Sequence, residues 1–537
     1  MYNNEKEQAS LANIEKEETY NEKKKTSLTN IEKEEGYNEK EETLVIKVEK
    51  TEVSRGKEKT SLTEVEKRNF SKGILLWSLI LIAYFVFIFN WMVMDSMGGS
   101  VGDGIGWIDE FFGDNGKEPP VLLTQSVNYT ITFMRGLGAF LAGWVLVKIG
   151  HRKSIYIAMG SLLFGIIAPW VQFYSLFVIS RMIMAIGGTT LIVYTQPIIA
   201  NYFTKSETKS RLNVFNCFAC NFGLIFAIAP FIFWSHGLTL HWQAYSTGFA
   251  TLAIVSLVLY VIYGEDINLD TTQGPEDTNV TYKSVLKEKR TWIFSIAYVF
   301  WLTNMLLIMT MVTKYFILPF NPWFATKISD VGYGGYWAIS LWKVVFLLGI
   351  IPGVFAFRFV TRGTYSRKPI ICTVLVVGLT AMLISVLLAG LTGTVEGAGD
   401  EAVYGTSVVG LVFSMLFIFF AGTCLWGMQG IILGWTYEYK GATPKKQGIL
   451  LGFIWGITYM GVTILTIIMA SLIEIGTIEG ESAIGVGNNN TGEILGCLFF
   501  FAFSFLSPVV LLFAEETHKG NNFFKVKYNA LKDKISS

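Results

Sequence analysis

The stretch FMRGLGAFLAGWVLVKIGHRK, Phe133 to Lys153, decides how this sequence folds. It is apolar enough to cross a bilayer, yet it carries Arg135 in its middle and a basic cluster at its end. A charge at mid-membrane costs about 2.5–3.5 kcal/mol on insertion scales, so a buried arginine needs a partner or a cavity. The terminal basic cluster is typical of a loop that orients a spanning helix. The stretch therefore poses two separate questions about charge.

The whole chain has the composition of a membrane protein. Of its 537 residues, 52% are hydrophobic and only 16% are charged, which is too apolar for a soluble protein of this length. The net charge of +1 gives no indication of a nucleic-acid partner, and we expect none. Cys217 and Cys220 form a Cys-x-x-Cys with no second pair, so no metal site or cofactor is expected. The sequence has no catalytic triad or phosphate-binding glycine loop, so the chain is predicted not to be an enzyme.

The first 73 residues differ in composition from the rest of the chain. SLANIEKEETYNEK (Ser10–Lys23) returns as SLTNIEKEEGYNEK (Ser27–Lys40), which gives a 17-residue repeat rich in Glu and Lys. Such a charged, low-complexity segment is predicted to be a mostly disordered tail. A repeat that binds a protein partner is the alternative. The tail precedes the first apolar run, so that run is expected to act as its own insertion signal.

Twelve apolar spans follow the tail, and each is long enough to cross a bilayer core. Numbered in chain order, they are spans 74–94, 122–146, 154–172, 175–200, 212–234, 245–263, 291–313, 334–356, 369–391, 406–435, 449–473 and 493–514. Alternate loops and the C-terminus carry 22 Lys and Arg residues, whereas the opposite loops carry only Lys117 and Lys327. This asymmetry predicts that both termini are cytoplasmic, in a multi-pass protein of the plasma membrane.

The twelve spans divide into two related halves. AYFVFIFNWMVMDSM (Ala83–Met97) in span 1 and AYVFWLTNMLLIMTM (Ala297–Met311) in span 7 share an Ala-Tyr pair and an Asn without a gap. We therefore expect an all-α membrane fold of two pseudo-symmetric six-helix halves. The predicted organisation is listed here: tail 1–73, N-terminal half 74–263, cytoplasmic central loop 264–290, C-terminal half 291–514 and cytoplasmic C-terminal tail 515–537.

The loop after span 2 resembles the signature of the major facilitator superfamily of transporters. That signature is usually written G-x-x-x-D-R-x-G-R-R/K, and GWVLVKIGHRK resembles it, with Val147 as a departure where the acid is expected. The resemblance implies a transporter with a cytoplasmic gating loop. The matching residues are Gly143, Lys148, Gly150, Arg152 and Lys153. Without the acid, the usual charge latch of this loop is in doubt, and the basic residues alone are also explained as orientation signals.

A narrower resemblance points to the organophosphate:phosphate antiporters. ATPKKQGILLGFIWGITYMG (Ala442–Gly461) and GIIPG (Gly349–Gly353) look like segments of that family, which exchanges sugar or glycerol phosphates for phosphate. The family binds phosphate with an arginine on span 1 and another on span 7. Neither span contains an arginine in this sequence, so the resemblance indicates ancestry better than substrate.

The predicted substrate site consists of charges and amides within the spans. Asp95 and Lys314 lie near the outer ends of spans 1 and 7, where snorkelling explains them. Arg135 and Lys343 lie at nearly equivalent depths of spans 2 and 8, so we expect both to face a common cavity and bind an anion, with Arg181 as a third member. The alternative is that these cations bond to helix carbonyls and hold the bundle together.

Two buried amides complete the predicted substrate site. Asn90 and Asn304 are expected to add polar contacts to the solute, or else to bridge helices. No mid-membrane Asp or Glu serves as an evident proton carrier. The sequence therefore predicts secondary active transport of a small organic anion by alternating access, as a monomer, with phosphate or a proton as coupling ion.

Two other functions stay open at this stage. One is a transporter of a neutral or cationic solute such as a sugar, a nucleoside or a drug. The other is a membrane receptor or interaction protein that uses the repeat tail.

Overall fold

The structure, a computed structural model, describes most of the chain from residue 64 onward. The described residues are 64–99, 105–113, 119–203, 206–267, 281–325, 337–357, 360, 365–396, 403–439, 444–477, 491–518 and 523. Val65–Ser537 forms one compact unit. The predicted repeat tail, the middle of the central loop and most of the C-terminal tail lie outside the described residues.

The N-terminal half consists of the first six spans. Their helices are Glu64–Ser96 in span 1, Val121–Thr124 and Ser126–Ile149 in span 2, His151–Leu162, Phe164–Ile167 and the 3-10 turn Ala168–Trp170 in span 3, Tyr174–Tyr202 in span 4, Ser206–Ile228 and Phe231–Leu240 in span 5, and Trp242–Ala250 and Leu252–Tyr263 in span 6. A short helix, Trp107–Phe112, follows span 1.

The C-terminal half consists of the last six spans. Their helices are Lys289–Leu307, the π-helix Ile308–Ile317 and Leu318–Phe320 in span 7, Trp337–Leu348 and Ile350–Ala356 in span 8, Arg367–Leu391 in span 9, Val408–Trp435 and the 3-10 turn Thr436–Glu438 in span 10, Pro444–Thr477 in span 11, and Thr491–Ser504 and Leu506–Leu511 in span 12. The helix Tyr282–Leu286 precedes this half, and the 3-10 turn Pro322–Ala325 follows span 7.

The predicted fold of twelve spans in two six-helix halves is confirmed. Among the described residues, eleven helical segments are long and apolar enough to cross a membrane by themselves. Span 5 is the twelfth and is a pair of helices bent by 67°. The bend lies at Pro230, which has no amide proton for the helix ladder, and the sequence predicted a span over 212–234 without this break. Span 1 also begins ten residues earlier than predicted, at Glu64.

A two-stranded hairpin joins spans 9 and 10. Strand β1 (Gly393–Glu396) pairs antiparallel with β2 (Val403–Thr406), with Gly393 opposite Thr406. The Asn321 side chain donates to the Ala389 carbonyl at 2.7 Å and to the Thr406 hydroxyl at 3.1 Å. This amide holds the hairpin against the end of span 7.

The two halves meet through spans 2 and 11, which run antiparallel and pack closely. The hydroxyl oxygens of Thr132 and Thr463 are 2.8 Å apart across this interface. A Cβ added at Gly136 would lie 3.0 Å from the Gly456 carbonyl oxygen, and one added at Gly456 would lie 2.5 Å from the Phe140 ring. Span 8 packs against span 5 as the second contact between the halves. A larger residue at Gly136 would therefore press on the backbone of span 11, and one at Gly456 would displace the Phe140 ring.

The basic end of the bundle is the end that carries the Lys- and Arg-rich loops, and two polar clusters among its described residues each lie within one half. In the N-terminal half, Glu265 accepts from Lys72 and from Tyr202, and the Lys72 hydrogen bond lowers the pKa of Glu265. In the C-terminal half, burial opposes ionisation of Glu288, but hydrogen bonds from Lys446 and Arg290 outweigh it and lower the pKa of Glu288.

The first test concerns the glycine contact between the halves. Gly456→Ala is expected to lower the free energy of unfolding by about 1–3 kcal/mol, because the added methyl group overlaps the Phe140 ring and forces spans 2 and 11 apart. Thermal denaturation of the purified protein in detergent, followed by gel filtration, measures the change. Gly430→Ala is the matched control, since a Cβ there meets nothing within 4 Å. An equal melting temperature for both variants would contradict the tight contact.

Candidate functional site

Arg135 lies at the interface between the two halves and is enclosed by aromatic rings. Its side chain is 1% exposed. The guanidinium carbon lies 4.1 Å from the centre of the Tyr459 ring, 4.7 Å from Trp91 and 5.1 Å from Phe87. One terminal nitrogen donates to the Tyr84 hydroxyl at 3.3 Å. Because Tyr459 belongs to span 11, both halves contribute to the environment of this cation.

A small cavity adjoins the Arg135 guanidinium. Its volume of about 10 Å³ is close to the least that one water molecule needs. The lining comes from spans 1, 2, 4 and 11: Tyr84, Arg135, Thr189, Ile192, Val193, Trp455 and Tyr459. The Arg135 Nε and the Thr189 hydroxyl are buried and have no hydrogen-bond partner among the described residues. The cavity therefore combines a cation, a free hydroxyl and aromatic walls.

Lys343 has a carboxylate partner, contrary to the prediction that it faces the same cavity as Arg135. Its Nζ lies 3.5 Å from Asp95, and both side chains are nearly buried, at 12% and 11% exposure. The Asn128 amide nitrogen is also 3.5 Å from Asp95. Sequence reasoning assigned Asp95 to snorkelling because it gives no indication that span 8 passes beside the end of span 1.

Arg135 and Lys343 also contact different levels of span 1. Arg135 reaches Tyr84 and the rings one and two turns beyond it, whereas Lys343 reaches Asp95. Tyr84 lies about 16 Å from Asp95 along the helix, and Trp91, the Arg135 contact nearest to Asp95, lies about 6 Å from it. These contacts therefore do not place Arg135 and Lys343 in the common cavity that the sequence predicted. The Asp95–Lys343 pair instead joins span 1 to span 8 at the far end of the bundle, opposite the basic end.

Arg181 makes structural contacts to helix carbonyls, which is the alternative to substrate binding for this residue. Its terminal nitrogens donate to the backbone carbonyls of Asn90 and Trp91, each at 3.0 Å. Its guanidinium carbon lies 5.4 Å from the centre of the Phe177 ring. These bonds tie span 4 to span 1 within the N-terminal half. The contacts favour a packing role over the predicted third member of an anion site.

Asn90 and Asn304 bridge helices in equivalent ways. Asn90 accepts from the Ser246 hydroxyl at 3.2 Å, which joins span 1 to span 6. Asn304 accepts from the Ser504 hydroxyl at 2.8 Å and donates to the Ser504 carbonyl at 3.0 Å, which joins span 7 to span 12. The aligned asparagines therefore repeat one contact in each half. Both amides are occupied by these bonds, so the contacts support the bridging alternative over solute recognition.

The loop predicted to act as a gate is built around a glycine and an arginine. Gly150 has a φ of +85°, a left-handed conformation that favours glycine, and it separates Ile149 from the helix beginning at His151. The Arg152 backbone amide donates to the Asp266 carboxylate at 3.3 Å, and its side chain donates to the Val261 carbonyl at 3.1 Å and to Tyr156. Asp266, after span 6, thus supplies an acid to this loop where Val147 does not.

The other residues of this loop make fewer contacts. Lys148 lies 4.7 Å from the centre of the Trp144 ring, and Lys153 is exposed. Gly143 is half-buried within the span 2 helix. The gating role of the loop stays a prediction, since these contacts lie within the N-terminal half.

A matching arrangement occurs after spans 8 and 12. Glu516 accepts from the backbone amides of Arg367 and Lys368, at 3.0 and 2.9 Å, at the start of span 9. The Arg367 side chain in turn pairs with Glu438 at 2.7 Å. An acid after the last span of each half therefore caps the third span of that half. A carboxylate at a helix N-terminus is favourable because backbone amides and the helix dipole both attract it.

Sequence reasoning missed the span 11 aromatics of the site. Trp455 and Tyr459 are four residues apart, so they lie on one face of span 11, and their rings stack at 5.6 Å. Both fall within the segment that resembles the organophosphate:phosphate antiporters. Their spacing was visible, but hydropathy alone does not distinguish an aromatic that faces a cavity from one that faces lipid.

Comparisons with known proteins identify the family to which the sequence is similar. The family model described as Mycoplasma MFS transporter, where MFS denotes the major facilitator superfamily, matches residues 177–474. The uncharacterized protein mhp246 of Mesomycoplasma hyopneumoniae strain 232 is 31% identical over 460 residues, which are 83% of this chain and 91% of that protein. A major facilitator superfamily transporter of Mycoplasma pneumoniae is 24% identical over 518 residues, which are 79% of this chain and 89% of that protein.

Two solved structures have a similar fold. The E. coli xylose transporter XylE, in a partially occluded inward-open conformation, has a TM-score of 0.56 at 14% identity and covers 84% of this chain and 100% of its own. The nucleoside transporter NupG has a TM-score of 0.53 at 16% identity and covers 82% of this chain and 99% of its own. At these identities the likeness concerns the fold alone.

The second test concerns the Asp95–Lys343 pair. Asp95→Asn is expected to weaken closure at the far end, since a buried cation that loses its partner destabilises that packing by about 3–5 kcal/mol. A cysteine placed at Thr132, which is 3% exposed, should then react at least five-fold faster with a membrane-impermeant maleimide. The parent without that cysteine gives the background. The swap Asp95→Lys with Lys343→Asp should restore slow labelling.

The control for this test is Glu438→Gln, which breaks a pair within the C-terminal half and should leave labelling of the Thr132 cysteine unchanged. Equal labelling of the Thr132 cysteine with Asp95 intact and with Asp95→Asn would show that the pair does not hold the halves together.

Proposed function

The chain belongs to the Mycoplasma transporters of the major facilitator superfamily, and from that premise we propose that it moves a small organic anion across the cell membrane. The anion is of the sugar phosphate, glycerol phosphate or carboxylate type. Arg135 is the residue that binds its charged group. Both termini lie on the cytoplasmic side in this proposal, in keeping with the 22 basic residues of the alternate loops.

The observation that carries the proposal is the difference between Arg135 and the other buried cations. Lys343 is neutralised by Asp95, and Arg181 is bonded to two backbone carbonyls. Arg135 has aromatic faces and one hydroxyl, but no carboxylate within ion-pair distance among the described residues. Cation–π contacts contribute roughly 0.5–2 kcal/mol each, so they help a guanidinium to remain buried without neutralising it.

An oxyanion is the group that best completes the Arg135 environment. A guanidinium presents its N–H donors in a planar fork that suits phosphate or carboxylate, and the Arg135 Nε has no acceptor among the described residues. The site also lies between the halves, next to the span 2–span 11 contact. A solute bound there contacts both halves, which is what alternating access requires.

The transport cycle in this proposal is a rocking of the two halves about Arg135. Three polar contacts between the halves among the described residues lie toward the far end: the Asp95–Lys343 pair, the Thr132–Thr463 contact and the bond from the Leu122 amide to Glu474 at 3.2 Å. The named pairs at the basic end lie within one half. The described conformation is therefore held together on the far side, and the site would next open toward the basic end.

Anion movement into a cell must be coupled to another flow. A membrane potential of about −100 mV disfavours entry of each negative charge by about 2.3 kcal/mol. Exchange against internal phosphate, or entry of a proton with the solute, would offset this cost. We propose exchange or cotransport of this kind by a monomer, as secondary active transport.

The second candidate function is transport of an uncharged ring-bearing solute. Trp455 and Tyr459 line the cavity and offer aromatic faces on which a sugar or base could stack. Two proteins of similar fold named above transport solutes of this kind, namely xylose and nucleosides. In this reading the aromatic contacts hold Arg135 for packing alone. A receptor function for the repeat tail is tested separately by deleting residues 1–63, which should leave transport intact.

The third test is the removal of the Arg135 charge. Arg135→Gln is expected to reduce uptake of the transported anion by about 10- to 150-fold, since hydrogen bonds to a charged group contribute about 1.5–3 kcal/mol. Uptake is measured in proteoliposomes, with phosphate loaded inside as one condition, over a panel of sugar phosphates, glycerol phosphate and carboxylates. Arg135→Lys should retain part of the activity because it keeps the charge.

Lys283→Gln, in the exposed central loop, is the matched control for loss of a positive charge. Unchanged uptake of every transported anion by Arg135→Gln, in protein that elutes normally on gel filtration, would contradict the proposed role. Loss of sugar or nucleoside uptake in the same variant, with no anion transported by the wild type, would favour the second candidate.

A further inference from the structure

We propose that a group of buried polar side chains in the C-terminal half recognises the uncharged body of the solute, and that this body is a hydroxyl- or amide-bearing ring. The members of this recognition cluster are Tyr298, Trp301, Trp426 and Gln429. The proposal rests on the proposed function, because it supplies the second end of a solute whose anionic group binds Arg135.

The spacing of the residues places them on two facing helix surfaces. Tyr298 and Trp301 are three residues apart on span 7, and Trp426 and Gln429 are three apart on span 10, so each pair shares one helix face. The rings of Tyr298 and Trp301 stack at 4.8 Å. Trp301 meets Trp426 edge to face at 5.7 Å, which brings the two surfaces together.

The polar atoms of the cluster are buried and have no partner outside the cluster. The indole nitrogens of Trp301 and Trp426 and the Gln429 amide oxygen have no hydrogen-bond partner among the described residues, and the Tyr298 hydroxyl has none except the neighbouring Gln429 side chain. All four side chains are at most 4% exposed. Buried polar groups in folded proteins are nearly always hydrogen-bonded, so a concentration of unpaired ones indicates a place where a ligand or water binds.

Other buried tryptophans of the same half are fully paired. The Trp342 indole nitrogen donates to the hydroxyls of Ser385 and Ser414, at 3.2 and 3.0 Å, and Trp435 donates to Thr517 at 3.1 Å. The fold thus supplies acceptors where a tryptophan serves packing. The contrast separates the recognition cluster from ordinary structural aromatics.

The cluster lies directly behind the wall of the Arg135 cavity. Trp455 lines that cavity, and its ring meets Tyr298 edge to face at 5.2 Å. Trp455 also stacks on Tyr459, which covers the Arg135 guanidinium. A short series of ring contacts therefore runs from the cation of the N-terminal half to the unpaired groups of the C-terminal half. A solute with two ends would bridge them once the halves separate and Trp455 shifts.

The chemistry of the cluster defines the solute class. Two indole N–H groups donate, the Gln429 oxygen accepts, and the Tyr298 hydroxyl does both, which matches hydroxyls or ring amides. The flat aromatic faces suit the apolar face of a ring. Inorganic phosphate or a short linear acid would leave these groups unused. The cluster thus favours a phosphorylated or carboxylated ring over a small anion without a ring.

The fourth test compares solutes that share only one of the two ends. Wild-type and variant proteins in proteoliposomes are assayed with glucose 6-phosphate, inorganic phosphate, glucose and a nucleoside. Tyr298→Phe and Gln429→Leu are each expected to raise the KM for glucose 6-phosphate about 5- to 10-fold, and to change that for inorganic phosphate less than two-fold. Tyr260→Phe is the matched control, because its hydroxyl is also buried and unpaired but belongs to span 6.

The outcomes separate this proposal from the proposed function. Loss of uptake in Arg135→Gln with an unchanged KM in Tyr298→Phe and Gln429→Leu would overturn the recognition cluster and leave anion transport standing. Saturable uptake of glucose or the nucleoside that falls in the cluster variants but not in Arg135→Gln would keep the cluster and discard the anion. Equal KM changes for glucose 6-phosphate and inorganic phosphate, or no saturable uptake of any of the four solutes by the wild type, would overturn the cluster proposal.

Discussion

The cost of burying the Arg135 guanidinium between two six-helix halves is the constraint on which the rest of the site depends. Rings from both halves meet that cost, and the Tyr459 ring reaches 4.1 Å from the cation because spans 2 and 11 approach closely. Close approach in turn needs Gly136 and Gly456, where a larger residue would meet a carbonyl or a ring. The small residues of the contact between spans 2 and 11 therefore allow the aromatic rings to enclose the Arg135 cation.

The three cations Lys343, Arg181 and Arg135 all lie within apolar spans, yet each has a different kind of partner. Lys343 has the Asp95 carboxylate, Arg181 has two backbone carbonyls, and Arg135 has aromatic faces. The Lys343–Asp95 contact is an ion pair that joins the two halves. The Arg181 contacts are hydrogen bonds to backbone carbonyls within the N-terminal half. The Nε of Arg135 and the Nε of Arg181 both lack an acceptor among the described residues, but of the three cations it is Arg135 that lines the cavity between the halves. This difference of partners, more than the charge itself, separates a site residue from a structural one.

Much of the fold could be predicted from the sequence, because hydropathy and the distribution of Lys and Arg report directly on membrane spans. The break at Pro230 and the early start of span 1 at Glu64 were missed, since both depend on local bonding inside a generally helical stretch. The site was predicted less well. Depth along a helix is readable, but the facing partner lies on a helix distant in sequence, as Asp95 does for Lys343. The aligned asparagines were rightly seen as equivalent, yet their serine partners, Ser246 and Ser504, gave no signal.

The central claim is that Arg135 binds the charged group of the solute, and equilibrium binding tests it most directly. Isothermal titration of the purified protein with glucose 6-phosphate and with glucose compares the wild type with Arg135→Gln, free of any effect on the transport cycle. Arg135→Gln is expected to weaken glucose 6-phosphate binding at least about 10-fold, equivalent to about 1.4 kcal/mol, and to leave any glucose binding unchanged. Equal affinity of wild type and Arg135→Gln for glucose 6-phosphate would contradict it.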